Sequence, residues 1–473
     1  MSGAPGSGLL LRDAEIDGRA RADVRIASGR IAEIGGSLPR APGERVLDCG
    51  GGALLPGLCD HHLHLHALAA RRRSVPCGPP EVTDRAGLAA ALRNATPDEH
   101  GWIRGAGYAE SVAGDLDAAA LDRLERHRPV RVQHRSGALW ILNTAALTAT
   151  GIEAAACPGI ERDHDGTPTG RLWRADDWLR TRLPATGPVP LDEVGQELTR
   201  FGITAVTDAT PDLDPRALAA FDQAVRDRTI PQRLHLLGAP LDAPYHPGHP
   251  HITTGPYKIV IADSGLPDLD DLAGRIRAAH RRGRPVAVHC VTREALLLLL
   301  AAFSEAETAR GADRVEHAAL VPAEVIGEMA RWGLRVVTQP GFIADRGDDY
   351  RRDVPAEDHQ DLYRCASLLV AGVPVGLSSD APYGPLDPWR VMDAAVQRRT
   401  RSGAVIGPDE RITPLAALHA YLASPGDPGG PIRLVRPGAT ADLVLLHAPL
   451  AEALQRLDAA LVRSVLIGGN LVL

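Results

Sequence analysis

From residue 196 to residue 382, short apolar runs rich in β-branched residues alternate with amphipathic stretches of helix length. Seven such runs follow one another, and an earlier run leads into a histidine-rich motif at residues 55–66. The seven runs are ITAVTDAT (203–210), QRLHLLGAP (232–240), YKIVIAD (257–263), PVAVHCV (285–291), DRVEHAAL (313–320), RVVTQP (335–340) and PVGLSSDAP (374–382). Eight strands that alternate with helices are typical of a (β/α)8 barrel. We therefore predict an α/β fold with a TIM-type barrel over residues 56–431.

The two ends of the chain carry a different pattern. Residues 9–47 and 441–473 alternate apolar and polar residues in short runs that glycine and proline interrupt. This pattern predicts antiparallel strands. We expect residues 1–55 and 432–473 to form one small β-sandwich domain together. The segment at about 67–195 lacks the regular alternation, and we expect it to be an excursion between the first and second barrel strands.

The composition restricts the partners and the location of the protein. The chain has 473 residues and a net charge of −7, with both signs spread along it. It has no basic stripe, which argues against nucleic acid, and its longest apolar run, Ala295–Phe303, is too short to span a membrane. No signal peptide is evident, and six scattered cysteines fit reduced thiols. We expect a cytoplasmic protein that acts on a small molecule, as a monomer or as a homo-oligomer.

Four histidines and an aspartate lie within residues 60–66, directly after an apolar run. Residues two apart on a strand point to the same face, so His62 and His64 can direct two imidazoles at one metal ion. Asp60 and His66 share that face, and His61 points away. Short histidine-rich tracts also occur as surface loops that bind nothing. The rest of the chain has to decide between these two interpretations.

Lys258 is the only lysine of the chain, and the other basic residues among the 52 are arginines. Codon bias explains why lysine is rare, because arginine replaces lysine at most surface sites. It does not explain why one position keeps lysine. A buried lysine can lose its proton and act as a nucleophilic amine, whereas arginine stays protonated. We therefore predict a chemical role for Lys258.

Polar residues also close other predicted strands, and barrel chemistry lies at the carboxyl ends of strands. His289, His317 and Asp380 each follow an apolar run. Each alone has an ordinary explanation, as a satisfied core histidine or as a capping aspartate. Their ordered recurrence, together with His62 and Lys258, favours a common site.

These motifs resemble those of the amidohydrolase superfamily, and within it the group of YtcJ-like and N-substituted formamide deformylase enzymes. The resemblance extends over nearly the whole chain. The matching pieces are PGLCDHHLHLH, GWIRGAGY, NTAALTATGI, GIERDHDGTPTG, GITAVTDA, RVEHA, TQPGF, SSDAPYGPLDPW and RPGATADLVLL. The first-strand motif followed by RVEHA and SSDAP is specific for the superfamily.

The resemblance implies a centre for one or two divalent metal ions. The implied ligands are His62, His64, Lys258, His289, His317 and Asp380. Asp380 and the two first-strand histidines would hold the more buried ion, and His289 and His317 would hold the second. Lys258, carbamylated by carbon dioxide, would bridge them, which would account for the lone lysine. These ligands suit Zn²⁺, with Mn, Fe, Co or Ni as alternatives.

The implied reaction is hydrolysis of an amide-type carbon–nitrogen bond, possible in N-acyl, N-formyl or cyclic amides. A metal-activated hydroxide would attack the carbonyl, with Asp380 as general acid and base and with His317 as a further catalytic residue. Asp60 is expected to orient the histidine pair rather than bind metal. The candidate substrate contacts are Tyr108, Arg135, Trp140, Asn143, Gln339 and Tyr383.

Two other functional classes stay open at this point. A single metal ion without a carbamate on Lys258 would suit a deaminase of a heterocyclic amine, because the same ligands serve that reaction. The metal count and the release of ammonia would separate it from an amide hydrolase. The second class is a catalytically inactive barrel that acts as a scaffold. Such proteins typically lose ligands, whereas all the implied ligand positions are filled here.

Overall fold

The computed structural model of the chain describes residues 8–155, 157–185, 187, 189–242, 247–262, 265–306 and 311–473. The prolines around His246, His249 and His251 predict a loop there. His246 lies outside the described residues. The chain divides into two compact units. Unit 1 combines residues 1–65 with 190–473, and unit 2 consists of residues 66–189.

The strands are β1 (Leu9–Ile16), β2 (Ala20–Ala27), β3 (Arg30–Gly35), β4 (Arg45–Asp48), β5 (Ala53–Pro56), β6 (Leu58–Leu63), β7 (Val75–Pro76), β8 (Ile103–Tyr108), β9 (Val130–His134), β10 (Leu139–Leu142), β11 (Ile160–Arg162), β12 (Pro168–Trp173), β13 (Ile203–Asp208), β14 (Arg233–Leu236), β15 (Ile252–Thr254), β16 (Tyr257–Val260), β17 (Val286–Cys290), β18 (Arg314–His317), β19 (Arg335–Thr338), β20 (Val375–Leu377), β21 (Leu443–Leu446), β22 (Val462–Ile467) and β23 (Asn470–Leu471).

The α-helices are α1 (Leu65–Arg72), α2 (Arg85–Asn94), α3 (Glu110–Ala113), α4 (Ala118–Asp122), α5 (Thr144–Thr150), α6 (Asp176–Arg182), α7 (Asp192–Arg200), α8 (Pro215–Arg226), α9 (Leu269–Arg281), α10 (Arg293–Glu305), α11 (Ala323–Arg331), α12 (Gly341–Asp353), α13 (Ala366–Val370), α14 (Pro388–Gln397), α15 (Pro414–Leu422) and α16 (Leu450–Arg456). Short 3-10 helices lie at Ile152–Ala154, Ala356–Asp361, Pro408–Glu410 and Ala459–Leu461.

Unit 1 contains two parallel sheets, with the strand orders β15-β14-β13-β6 and β16-β17-β18-β19-β20. Strands β6, β13 and β18 are buried along their whole length. Such burial on both faces is typical of parallel strands that helices cover. The fold is therefore α/β, and its parallel strands direct their carboxyl ends to a common edge within each sheet.

Amphipathic helices separate these strands along the sequence, and α8 shows why they form. Asp214 caps its N-terminus and accepts a hydrogen bond from the backbone N–H of Ala217, and Pro215 follows at the first helical position. Leu218 and Phe221 are buried three residues apart, on one face of the helix. The exposed residues, two arginines and a glutamine among them, lie on the remaining surface, which meets water.

A third sheet of unit 1 draws its strands from both ends of the chain. Its order is β23-β22-β21-β5-β1-β2-β3, and β4 pairs with β1. Strand β21 runs antiparallel to β5, with Val444 opposite Leu55. Buried aliphatic residues such as Leu11, Val24 and Leu466 form its core. Its packing as a β-sandwich stays a prediction.

Unit 2 contains a sheet of its own, with the order β11-β12-β10-β9-β8-β7. Strands β8 and β9 pair in parallel, whereas β9, β10 and β12 pair antiparallel. Leu88 and Leu121 of the helices pack with Val132 and Ile141 of the sheet in one core cluster. In the described ranges, no helix combines the length and the apolar character that a membrane span requires.

Candidate active site

His62, His64 and Asp380 lie together where β6 and the segment after β20 meet. One ligand atom from each residue lies within 4.8 Å of the others. Nε2 of His64 is 3.3 Å and Nε2 of His62 is 3.5 Å from Oδ1 of Asp380. The backbone N–H of Asp380 donates to the carbonyl of His62 at 2.8 Å, which fixes the two segments side by side. Two imidazoles and a carboxylate therefore converge on one point.

Polar atoms of this group are buried without a hydrogen-bond partner among the described residues. They include Nε2 of His62 and Oδ1 of Asp380. Burial and the charge of Lys258 hold the pKa of His62 well below its usual range, so its imidazole is neutral. Burial raises the pKa of Asp380, but its contact with His64 and the nearby charges of His317 and His62 lower it overall, so the group is a carboxylate. A neutral imidazole and a carboxylate are the forms that bind a metal ion.

His317 ends β18 and turns its ring toward the same group. Its ring centroid is 4.7 Å from that of His62, and its Nδ1 is 3.9 Å from Oδ2 of Asp380. His317 has φ +68° and Asp380 has φ +53°, a left-handed conformation that costs a non-glycine residue about 1–3 kcal/mol. Strain of this kind collects at functional sites because the surrounding structure has to hold the residue there.

Lys258 and His289 lie on the neighbouring strands β16 and β17. The ring of His289 is 4.4 Å from that of His317, centroid to centroid. Lys258 is buried, and its Nζ has no hydrogen-bond partner among the described residues. Burial lowers the pKa of Lys258, while the charges of Glu316 and Asp380 oppose this shift. The six positions expected to bind metal thus lie on the parallel strands of unit 1 or directly after them.

Glu316 is a buried carboxylate that the sequence did not single out, although the motif RVEHA contains it. Its Oε2 contacts Nδ1 of His62, and its Oε1 accepts from Nε of Arg314 at 2.7 Å. Nη2 of Arg314 donates to the carbonyl of His61 at 2.9 Å. A glutamate on a parallel strand that is expected to be buried is the signal that would have identified it, because charged residues are rarely buried without a partner.

Asp60 and Thr210 hold the first-strand histidines in position through hydrogen bonds. Asp60, whose pKa burial raises to about 7, accepts from the backbone N–H groups of His62 at 3.1 Å and Ser379 at 3.2 Å. Nδ1 of His64 lies 3.1 Å from Oγ1 of Thr210, which follows β13. Asp60 therefore fixes the backbone of His62, and Thr210 orients the ring of His64.

Two of the candidate substrate contacts, Gln339 and Tyr383, lie in unit 1 next to the metal-binding candidates. Oε1 of Gln339 accepts a hydrogen bond from Nδ1 of His317 at 3.0 Å, and its amide donates to Ser378. The ring of Tyr383 meets that of His64 edge-on, with 5.5 Å between the centroids. In this arrangement Gln339 orients a histidine, and the predicted role of both residues in substrate binding stays a prediction.

The other four candidates lie in unit 2, and their role also stays a prediction. Tyr108 donates its hydroxyl to the carbonyl of Gly114, and Arg135 follows β9. Trp140 donates from Nε1 to Asp176 at 2.7 Å. Asn143 caps α5 and accepts from the backbone of Val130 and Ala146, and its amide donates to two carbonyls. All hydrogen-bonding atoms of the Asn143 side chain are thus used inside this unit.

A family model described as the amidohydrolase family matches residues 45–473. The chain belongs to the amidohydrolase family. As a member of this family it is a hydrolase that acts on carbon–nitrogen bonds, and the convergence of His62, His64 and Asp380 agrees with metal dependence. This confirms the family that the sequence motifs predicted.

Individual relatives extend over most of the chain. The N-substituted formamide deformylase of Arthrobacter pascens is 27% identical, with 86% of each chain covered. The putative amidohydrolase YtcJ of Bacillus subtilis is 24% identical, with 76% of each covered. The structure of an uncharacterized metal-dependent hydrolase from Pyrococcus horikoshii is similar with a TM-score of 0.75 and 19% identity, over 98% of this chain and 100% of the other. This last likeness shows a shared fold.

Proposed function

We propose that this amidohydrolase uses a divalent metal centre to hydrolyse an amide-type carbon–nitrogen bond of a small molecule. The observation that carries the proposal is the convergence of His62, His64 and Asp380, in which Nε2 of His62 and Oδ1 of Asp380 are buried and have no hydrogen-bond partner among the described residues. A buried polar atom without a partner is costly, and a bound cation removes that cost. Two imidazoles and a carboxylate suit Zn²⁺, and also Mn, Fe, Co or Ni.

We extend this centre to a second ion held by His289 and His317, with a carbamate on Lys258 between the two. The support is that Lys258 is buried and that its Nζ has no hydrogen-bond partner among the described residues. Burial also lowers its pKa toward the neutral amine, which is the form that reacts with carbon dioxide. A carbamate would offer two oxygens where the amine offers one nitrogen. When bound, the ions would acidify a water molecule and polarise the substrate carbonyl.

The chain's own residues then handle the proton. Asp380 is ionised because His64, His317 and His62 favour its charged form over the effect of burial. It therefore takes the proton of the attacking water as the new carbon–oxygen bond forms. It gives that proton to the nitrogen as the carbon–nitrogen bond breaks, so the amine leaves neutral. His317, whose Nδ1 donates to Gln339, would keep the lone pair of Nε2 for the proposed second ion.

The same proposal includes a closed (β/α)8 barrel made from the two parallel sheets. Support comes from backbone hydrogen bonds between their outer strands. The N–H of Asp380 after β20 donates to His62 of β6, and the N–H of Lys258 of β16 donates to Leu237 after β14 at 3.2 Å. Strands β15 and β16, separated by Gly255 and Pro256, would then share the fourth position of the barrel.

The substrate class is open within amides, and the deformylase relative suggests where to begin. N-substituted formamides come first, followed by N-acyl and cyclic amides. We further propose a cytoplasmic enzyme that binds a small molecule rather than nucleic acid, as a monomer or a homo-oligomer. Tyr108, Arg135 and Tyr383 are the first positions to vary once a substrate is known.

A deaminase with one metal ion is the second candidate. It is favoured by one observation: among the described residues, the ligand atoms of His62, His64 and Asp380 lie mutually close, and neither His289 nor His317 belongs to this close group. One ion at this cluster would leave His289 and Lys258 without a metal to bind. An inactive scaffold is disfavoured, because the chain belongs to a family of hydrolases.

The test measures metal and product together. The protein, purified in bicarbonate, is analysed for bound metal by mass spectrometry and is then assayed against N-formyl amines, N-acyl amines, cyclic amides and heterocyclic amines. We expect up to two ions per chain and release of amine and acid from an amide. One ion with ammonia release from a heterocyclic amine would favour the deaminase. No bound metal in the purified or the zinc-reconstituted protein would overturn both.

A further inference from the structure

Glu316 lies against a metal-binding candidate on a strand that is not its neighbour in the sheet. Strand β18 pairs with β17 and β19, whereas His62 belongs to β6 of the other parallel sheet. The side chain of Glu316 nevertheless contacts Nδ1 of His62 across the interior. Both side chains are buried, with 0% and 1% exposure, so water does not compete for this contact.

The chemistry of this contact fixes the protonation state of the imidazole. A carboxylate only accepts hydrogen bonds, so the ring nitrogen that faces it carries the proton. Nδ1 of His62 therefore donates to Glu316, and Nε2 has the lone pair. Nε2 is the atom that lies near Asp380, and in the described part of the chain it has no hydrogen-bond partner.

Arg314 holds the carboxylate in place. Its Nε donates to Oε1 of Glu316, and its Nη2 donates to the carbonyl of His61. Arg314 is fully buried, so its guanidinium ties β18 to β6 at two points, directly and through Glu316. Each oxygen of Glu316 thus accepts from one N–H donor. Replacing either oxygen by an NH₂ group would place two donors against each other.

We infer that Glu316 is a positioning residue that holds His62 in the tautomer able to bind metal, with Arg314 as its anchor. This inference rests on the proposed metal centre. Partners of this kind raise the basicity of the bound imidazole and fix its ring. Their loss typically lowers metal affinity about 10- to 100-fold.

The experiment uses Glu316→Gln, which keeps the shape of the side chain and exchanges one oxygen for NH₂. The amide then faces either Arg314 or His62 with a donor. If it faces His62, the ring must accept at Nδ1 and carry its proton on Nε2, where the metal would bind. We expect the affinity for Zn²⁺, measured by competition with a chromophoric chelator, to fall about 10- to 100-fold, and the visible spectrum of bound Co²⁺ to change.

Glu410→Gln is the matched control, because Glu410 is also buried and paired with an arginine. Its Oε1 accepts from Nη1 of Arg364 at 2.6 Å, and none of its described partners is a metal-binding candidate. This variant is expected to lose stability and to keep the Zn²⁺ affinity of the unaltered protein. Equal losses of affinity in both variants would assign Glu316 a merely structural role and overturn the inference.

Further arms keep the inference separate from the function on which it rests. If the unaltered protein and His62→Ala bind Zn²⁺ equally, the proposed centre fails; if only His62→Ala is weakened and Glu316→Gln is not, the inference alone fails. Glu316→Asp keeps the charge for Arg314 but is too short to reach His62, so it should fold and bind weakly.

A measurement on the unaltered protein covers the case in which neither Glu316 variant folds. Histidine labelled with ¹⁵N reports which ring nitrogen carries the proton, and the signals lost in His62→Gln identify His62. A protonated Nδ1 in the metal-free protein supports the inference. A protonated Nε2 overturns it.

Discussion

Two buried groups of charged residues in unit 1 differ in how completely their polar atoms are paired. Glu410 accepts from Arg364, from the hydroxyl of Ser367 at 2.5 Å and from the backbone N–H of Cys365 at 2.9 Å. In the other group, His62, Asp380 and Lys258 each bury an atom that finds no hydrogen-bond partner among the described residues. A buried polar atom without a partner is costly and calls for an explanation, and a bound ion is one such explanation.

The two groups also differ in backbone conformation. Asp380 and His317 adopt positive φ angles, whereas Glu410 lies in a short 3-10 helix with an ordinary conformation. We therefore expect the paired group to stabilise the fold, and the unpaired group to supply ligand atoms to the proposed metal centre. The comparison predicts that substitutions in the two groups will separate activity from stability.

The largest effect is expected for Asp380→Asn. The amide cannot take up the proton of the attacking water, and general acid–base catalysis contributes about 10²–10⁴-fold to such reactions. The turnover of whichever amide the unaltered protein hydrolyses should fall by that factor, while the urea midpoint of the metal-free protein changes little. Asp353→Asn, at an exposed carboxylate, serves as the control. Retained turnover in Asp380→Asn would remove Asp380 from its catalytic role.

Much of the parallel-strand pattern could be predicted from the sequence, because it depends on neighbours along the chain. Each of the seven apolar runs contains one observed strand, namely β13, β14 and β16 to β20. The short strand β15 was not predicted. Helix α9 begins at Leu269, as its amphipathic spacing predicts. The six-stranded sheet of unit 2 was not predicted, since its short strands lack a clear period of two.

For the site as well, the sequence predicts the features that depend on local pattern and misses those that depend on distant contacts. His62 and His64 are readable from strand parity, and Lys258 from being the only lysine. The role of Glu316 depends on a contact with a residue 254 positions earlier, and no local pattern encodes that distance. The left-handed backbone at His317 is equally hidden, because histidine carries no signal for it.

Glu410→Ala should have the next largest effect, on stability alone. It removes the acceptor of Nη1 of Arg364 and of the backbone N–H groups of Cys365 and Ser367, while Asp361 still pairs with Arg364. Breaking a buried pair of this kind costs about 3–5 kcal/mol. We expect the free energy of unfolding in urea to fall by this amount and the Zn²⁺ content to stay the same. A loss of metal at unchanged stability would reverse the assignment of the two groups.

Lys258→Met should act in the opposite direction on the metal-free protein. The substitution replaces a buried amine without a hydrogen bond by an apolar chain of similar length, and an unsatisfied buried group costs about 1–3 kcal/mol. The free energy of unfolding of the metal-free chain should rise by a similar amount, although metal binding is impaired. Leu297→Met, at an exposed helix position, provides the control for a change to methionine. A less stable Lys258→Met chain would show that the amine is satisfied in the fold.

The smallest effect concerns His235, which is buried outside the metal-binding candidates with Nδ1 2.8 Å from Oγ1 of Thr253. Burial, with the charges of Arg314 and Arg284, lowers the pKa of His235 to about 3. Between about pH 6.5 and pH 3 the unfolded chain therefore binds one proton more than the folded chain. The free energy of unfolding decreases by about 1.4 kcal/mol for each unit by which the pH is lowered through this range.

His235→Gln should remove this component, as seen by subtracting the unfolding free energies of the two proteins across that pH range. The exposed His164→Gln should leave the curve unchanged, and parallel curves for His235→Gln would contradict the assignment. Nε2 of His235 is itself unpaired among the described residues. A purely structural outcome for His235 would therefore show that a single unpaired atom does not mark a ligand site. The convergence of several such atoms is what distinguishes His62, Asp380 and Lys258.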